Sequence, residues 1–313
     1  MSVPKFGVSG FNIPCIGFGT YKLAAEDVGP ALNAALATGY RHVDCAYLYQ
    51  NEEAIGNVLK SWIDGKRIKR EDLFITSKLW NTFHRPDMVK GACIKSLERL
   101  NLSYLDLYLV HWPVAYKPGD ELVPIDKNGK TIYDDVEIEA TWMAMEGLVK
   151  EGLVLHIGVS NFNESQVQRI LDCASIKPVM LQIESNPHFP NQKLIDFASS
   201  KGILSTGFAP LGSPYREIGD RPHRLIDEPM LVKIGEKYGK TPAQVALRHG
   251  IQRGICVVPK SRSPDRIREN FQVFDFELTH NEMKEIDTLG LYQRQVCANP
   301  MRGNPEFPFL DLL

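Results

Sequence analysis

Apolar residues gather in short, nearly unbroken runs at 16–20, 42–44, 73–79, 105–111, 155–160, 180–184, 204–208 and 256–259. Runs of this kind are expected of strands in a parallel sheet covered on both faces. Between them the pattern changes to a helical period. Val89, Cys93, Leu97 and Leu100 share one face, as do Ile138, Trp142, Met145 and Val149. The punctuation agrees. Gly152 stands where a helix-ending glycine is expected, Asn191 can cap a helix over 192–201, and Thr241-Pro242 puts a proline at a first helical position. Ahead of the first run, 5–8 and 12–15 flank Ser9-Gly10-Phe11 and predict a small hairpin.

Strands alternating with helices over a chain of 313 residues predict an α/β fold, a (β/α)8 TIM barrel occupying 1–313 as one domain behind a short N-terminal β-hairpin. The competing architecture is an open doubly wound sheet. It would want a G-x-G-x-x-G after an early strand, and the chain has none.

Composition narrows the function classes. With 43% hydrophobic and 24% charged residues the chain reads as an ordinary globular protein. A formal charge of −2 gives no reason to expect nucleic acid or an acidic membrane as partner. No apolar stretch approaches the roughly 20 residues that a membrane span needs. Met1-Ser2-Val3-Pro4-Lys5 lacks the apolar core of a signal peptide. Cys15, Cys45, Cys93, Cys173, Cys256 and Cys297 are far apart and form no C-x-x-C, which predicts isolated thiols in a reducing compartment. The expectation is a cytoplasmic protein with no bound metal.

The informative chemistry lies at the predicted strand ends. Lys78 closes the run Leu73-Phe74-Ile75-Thr76-Ser77, where a charge is costly to bury without a partner. Asp44 ends another run, Tyr49 lies in the loop after it, and His111 ends a fourth. In a barrel these positions line one pocket. There, Asp44 would hold Lys78 charged, and Lys78 would lower the Tyr49 hydroxyl from its ordinary pKa of about 10. Tyr49 could then act as general acid toward a carbonyl oxygen positioned by His111. Taken singly, each has a plainer reading: Asp44 a turn residue, Tyr49 packing, His111 a satisfied core histidine. Lys78 is the exception, and the spacing of all four together favours the site.

Asp44-Cys45-Ala46-Tyr47-Leu48-Tyr49, Ser77-Lys78-Leu79-Trp80 and Leu109-Val110-His111-Trp112-Pro113 resemble the catalytic tetrad motifs of the aldo-keto reductases. The resemblance continues through Gly158-Val159-Ser160-Asn161-Phe162, Ala209-Pro210-Leu211-Gly212-Ser213-Pro214 and Pro259-Lys260-Ser261. It runs from Gly17-Phe18-Gly19-Thr20 to Glu306-Phe307-Pro308-Phe309, nearly the whole chain, and is strongest to the aldose, aldehyde and xylose reductase branch.

The resemblance implies NADPH bound without a Rossmann motif, with NADH a weaker alternative. It assigns Ser160, Asn161 and Gln182 to the nicotinamide carboxamide, and Phe208 to stacking on the ring where this branch usually has Tyr. Thr20, Leu211 and Ser213 fall at further cofactor positions. Lys260, Ser261 and Arg266 fall at the 2′-phosphate, and Glu269 and Asn270 at the adenine. A lysine, a hydroxyl and an arginine at a helix start suit a phosphate dianion. Read without the resemblance, 260–270 is a solvated helix start, with Arg262 an extra cation.

The implied activity is reduction of aldehydes and aldoses to alcohols, with Tyr49 as proton donor. The implied substrate walls are Tyr21, Trp80, His111, Trp112 and a C-terminal substrate loop carrying Cys297 and Asn304. Tyr21 stands where animal aldose reductases have Trp. Arg302-Gly303-Asn304 resembles an Asn-bearing loop of xylose reductases, and an ordinary surface turn is the other reading. The expected partner is a small carbonyl compound, and the expected assembly a monomer or homodimer. Two other classes stand beside this one. A non-enzymatic relative would show a broken tetrad, and a lyase would use Lys78 as a Schiff-base nucleophile.

Overall fold

The computed structural model describes residues 3–212, 217–218, 221–222, 224–291 and 294–309. Strands β1 (Lys5–Val8) and β2 (Phe11–Pro14) pair as the antiparallel hairpin. Ser9 and Gly10 both take positive φ, as a two-residue turn matching the strand twist demands. The second strand therefore starts one residue earlier than the sequence pattern predicts.

Strands β3 (Phe18–Gly19), β4 (His42–Asp44), β5 (Phe74–Leu79), β6 (Leu105–Val110), β7 (Val154–Ser160), β8 (Met180–Glu184) and β9 (Leu204–Phe208) follow. A two-residue ribbon, β10 (Glu217–Ile218) with β11 (Arg221–Pro222), precedes β12 (Cys256–Val257). Between and after them run α1 (Ala25–Thr38), α2 (Glu52–Asp64), α3 (Pro86–Leu100), α4 (Ile138–Lys150), α5 (Glu164–Cys173) and α6 (Gln192–Ser200). The last helices are α7 (Pro229–Tyr238), α8 (Pro242–Gln252), α9 (Pro264–Phe271) and α10 (His280–Asp287). None of the described helices is long and apolar enough to cross a membrane.

The main sheet is wholly parallel, in the order β3-β4-β5-β6-β7-β8-β9-β12. Its two edges meet. Ile16 bridges Val257, with Gly17 N–H donating to the Val257 carbonyl at 2.8 Å and Val257 N–H to the Cys15 carbonyl at 3.0 Å. The sheet is thus closed into a (β/α)8 barrel.

At the closing seam the runs 16–20 and 256–259 yield only two-residue strands, prolonged by the single bridge at Ile16. The seam is crowded: a Cβ on Gly17 would lie 2.3 Å from His42 Nδ1, and one on Gly19 2.7 Å from the Val258 carbonyl. Pro259 brings no N–H, although its carbonyl still accepts from Gly19 N–H at 3.0 Å.

The floor of the barrel is sealed by the hairpin. Phe11 and Ile13 of β2 join Phe74, Leu107, Leu109, Met180 and Cys256 in one apolar cluster. Phe11 sets its edge to Phe74 at 5.8 Å and to His156 at 4.8 Å. The main core lies between sheet and helices and takes in Val89, Cys93, Leu97 and Leu100 of α3 with Ile138, Trp142 and Met145 of α4. Above the floor the interior turns polar. Thr76 Oγ1 meets His42 Nε2 at 3.1 Å, and two residues further along each strand the same face carries Lys78 and Asp44.

Some helix boundaries are set by side-chain caps. Thr241 and Gln244 form the capping box in front of α8, with Pro242 at its first position, and Gly152 takes a positive φ just after α4. Asn191 departs from the expected cap. It sits at φ +53° with no capping bond, and its Nδ2 donates instead to the Glu184 carbonyl at 3.2 Å. The end of β8 and the start of α6 are thereby tied together.

Candidate active site

Each residue singled out at a strand end reaches the same mouth of the barrel. Asp44 closes β4, Lys78 is the penultimate residue of β5, and His111 directly follows β6. Tyr49 ends a single 3-10 turn, Tyr47–Tyr49, just after β4.

Lys78 is fully buried, and its Nζ donates to three oxygens: Asp44 Oδ1 at 2.7 Å, the Cys45 carbonyl at 2.8 Å and Tyr49 Oη at 3.2 Å. The second oxygen of Asp44 accepts from Gln182 Nε2 at 2.7 Å, and Thr20 Oγ1 donates to the Asp44 carbonyl at 2.7 Å. Asn51 fixes Thr20 in turn, through its backbone carbonyl at 2.9 Å. A buried ion pair is tolerable only when its remaining hydrogen-bonding capacity is filled, and here it is.

The charges settle as the partners dictate. Burial pulls the Lys78 ammonium down, but Asp44 and Tyr49 outweigh it and hold the pKa up at about 12. Burial has the opposite effect on the Tyr49 hydroxyl, raising it to about 12 with Lys78 opposing. This reverses the net direction expected from the Lys78–Tyr49 pairing alone. The lysine lowers the phenol relative to its buried environment without bringing it below water's reference, so Tyr49 is a neutral O–H, ready to donate. His111 is pushed well below its ordinary value by burial first and then by Lys78 and His84, so its ring is neutral. Its Nδ1 is buried without a partner, which leaves Nε2 as the atom able to meet a ligand oxygen.

Aromatic rings surround this group. Tyr49 and Trp80 set their edges to His111 at 5.9 and 5.4 Å, Trp112 stacks beside it at 6.4 Å, and half-exposed Tyr21 tilts against Tyr49 at 5.0 Å. Trp80 Nε1 donates to the Leu122 carbonyl at 2.7 Å, tying the pocket to the long β6–α4 excursion.

The C-terminal segment closes the circle. Glu184, at the end of β8, accepts backbone N–H bonds from Gln295 at 3.0 Å and Val296 at 3.0 Å. Cys297 is half-buried, its thiol 3.7 Å from the Arg294 carbonyl. Asn304 Oδ1 accepts from Glu306 N–H at 2.8 Å, the local turn bond of an Asx motif.

The positions assigned to a cofactor lie on neighbouring strand ends. Ser160 ends β7 and Phe208 ends β9, half-buried at the mouth. Asn161 holds φ +62° and donates through Nδ2 to the His111 carbonyl at 2.9 Å and to Ser160 Oγ at 3.1 Å. Among the described residues, Asn161 Oδ1 and Gln182 Oε1 accept no hydrogen bond, and the Ser160 O–H has no acceptor. One donor beside two acceptors matches a carboxamide, which carries one carbonyl and one NH2.

At the far end, Ser263 caps α9 by accepting from Arg266 N–H at 3.4 Å, and Ser261 Oγ accepts from Ser263 N–H at 3.1 Å. Lys260 is held below its ordinary value by burial and by Arg262 and Lys22, with Asp27 opposing. Such crowded cations suit an anionic ligand. Arg262 stands 3.9 Å from Asp27 of α1. Glu269 Oε1 turns to Thr241 Oγ1 at 2.9 Å, while Asn270 is buried and Leu211 half-buried. Ser213 lies outside the described residues.

The profile of the Aldo/keto reductase family matches residues 15–290. The chain belongs to the aldo/keto reductase family. It is 43% identical over 314 residues to aldo-keto reductase family 1 member A1-A of Danio rerio, covering 97% of each chain. To aldo-keto reductase family 1 member C1 of Homo sapiens it is 44% identical over 309 residues, covering 96% of each. The solved aldose reductase of Schistosoma japonicum superposes with a TM-score of 0.93 at 48% identity, over 100% of both chains.

Sequence reading missed some supports of this candidate site: the Cys45 carbonyl as third acceptor for Lys78, Asn51 behind Thr20, and Glu184 beneath the C-terminal segment. The separation of 111 positions from Glu184 to Gln295 shows why. No local spacing signals a contact across that distance.

Proposed function

We propose that this protein reduces aldehydes, aldoses among them, to alcohols with NADPH, Tyr49 supplying the proton. The observation that carries the reading is the buried Lys78 Nζ joined at once to Asp44, the Cys45 carbonyl and Tyr49. NADPH, when bound, supplies the hydride that the carbonyl carbon takes up. Ser160, Asn161 and Gln182 would hold its carboxamide, Phe208 would lie against its ring, and Lys260, Ser261 and Arg266 would hold its 2′-phosphate.

The rest is the chain's own work. His111 Nε2 and the Tyr49 hydroxyl converge on the substrate oxygen, and as negative charge develops there Tyr49 gives up its proton. Lys78 becomes most valuable at that moment, because it faces the phenolate left behind. Asp44 keeps Lys78 charged and pointed at Tyr49. The aromatic walls Tyr21, Trp80 and Trp112 suit a broad range of small and aromatic aldehydes. The likeness to a relative described as an aldose reductase supports sugars in that range.

The lyase alternative is disfavoured by charge. A lysine held protonated by three oxygens offers no lone pair to a carbonyl carbon. The non-enzymatic alternative is disfavoured by the unbroken tetrad. The six unpaired cysteines accord with a cytoplasmic setting. We read the enzyme as a monomer or homodimer.

The test is loss of NADPH absorbance with a panel of aldehydes and aldoses, run beside NADH and with Tyr49→Phe as control. Oxidation by the wild type but not by the variant is expected. Wild-type protein that binds NADPH and reduces nothing would overturn the reading.

A further inference from the structure

The C-terminal tail is fastened to the outer face of the barrel at α5, far from the tetrad. Arg169 of α5 donates from Nε and Nη2 to both oxygens of Glu139, at 2.7 and 3.0 Å, from Nη2 to Glu137 at 3.0 Å, and from Nη1 to Glu306 Oε1 at 2.6 Å. One guanidinium thus joins the start of α4, α5 and the tail. Planar, fixed donors make arginine suited to such a junction.

Its neighbours do the same work through the tail backbone. Gln166 Nε2 donates to the Glu306 carbonyl at 3.0 Å and to Glu306 Oε2 at 2.9 Å, and Asn163 Nδ2 to the Pro308 carbonyl at 3.3 Å. Asn163 and Gln166 are also the capping box of α5. The helix start and the tail dock are therefore one structure.

What the tail carries inward is Phe309. Its ring is buried, edge-on to Trp112 at 5.7 Å and under the Arg294 guanidinium at 3.8 Å. Trp112 stacks beside His111. A chain of contacts therefore runs from Arg169 through Glu306 and the peptide at Pro308 to Phe309 and the Trp112 wall.

We propose that Arg169 is a positioning residue for substrate size: by pinning Glu306 it holds Phe309 behind Trp112 and so fixes the wall against which a bulky aldehyde must pack. This rests on the proposed carbonyl reduction. Releasing the tail costs bulky substrates a defined surface and leaves small ones nearly untouched, since nothing in the tetrad touches Arg169.

The experiment compares wild type with Arg169→Met, Glu306→Ala and the double variant, on 2-naphthaldehyde and on propanal, with hydrogen exchange of residues 303–309 as a second readout. KM for naphthaldehyde should rise about tenfold, the scale of a lost apolar pocket contact, with kcat/KM for propanal within about twofold. The double variant should lose less than the sum of the two single losses, because the Arg169–Glu306 contact is removed by either change. Tail amides should exchange faster in all three. Equal losses on both aldehydes would overturn the proposal, as would unchanged kinetics or unchanged tail exchange. A wild type that reduces no carbonyl would instead sink the functional reading, and tail exchange alone would then decide whether Arg169 holds the tail.

Discussion

The ammonium of Lys78 stands 3.2 Å from the hydroxyl of Tyr49 and 4.9 Å from the centre of its ring. The cation thus meets both the oxygen and the π-face of one phenol. The two contacts respond differently to mutation, because a phenylalanine retains the face and loses only the oxygen.

Tyr49→Phe should accordingly fold as the wild type does, with turnover falling about 10²–10⁴-fold, the usual worth of a positioned general acid. NADPH affinity should stay unchanged, since the hydroxyl serves only the chemical step. Steady-state rates beside a fluorescence titration of NADPH check this. Near-native turnover would remove Tyr49 from the acid role.

Lys78→Met should destabilise the fold as well as abolish turnover. It leaves the Asp44 carboxylate buried with Gln182 and no cation, a loss of about 3–5 kcal/mol. Lys78→Met with Asp44→Asn should recover much of that stability while staying inactive. Urea unfolding of the two proteins gives the comparison, and a single variant as stable as wild type would contradict the buried-pair account.

Lys260→Ala and Arg266→Ala should each weaken NADPH binding about tenfold or more, as expected for one lost charge-assisted hydrogen bond to phosphate. NADH, which has no 2′-phosphate, should lose far less. Binding titrations with both nucleotides decide it. Parallel losses for the two would move the phosphate site elsewhere.

Acid should destabilise the protein through His84. Burial pushes its pKa from 6.5 down to about 3, with Asp134 opposing, and neither ring nitrogen has a partner. The unfolded chain takes up this proton below about 6.5 and the folded chain only near 3. The contribution of His84 is thus complete above pH 6.5 and is lost as pH falls through that window. Urea midpoints from pH 7 to pH 4 should decline less steeply in His84→Phe than in wild type, and equal slopes would refute the assignment.

What was legible in the sequence is what short-range pattern encodes. The eight strands, the hairpin and the Thr241-Pro242 start follow from apolar runs and turn chemistry, and Lys78 announced itself because a lysine inside such a run needs a reason. The strands at the seam are shorter than their apolar runs, and Pro259, which has no N–H to continue the ladder, ends one of them in a way that hydrophobicity does not report. Asn191 has the residue type of a helix cap but does not act as one, because its side chain turns back to Glu184. The net direction at Tyr49 depended on how deeply the ring is buried, which no spacing reveals. The Arg169 junction joins residues up to 137 apart, and only the closed barrel brings them together.

Glu184 grips the C-terminal segment by peptide N–H groups, those of Gln295 and Val296, and not by their side chains. Every residue except proline offers that group. The anchorage at this point is therefore indifferent to which side chains stand at 295 and 296, and any residue but proline keeps it. Point mutation at those two positions changes what the segment presents to the mouth while its hold on the end of β8 stays as it is.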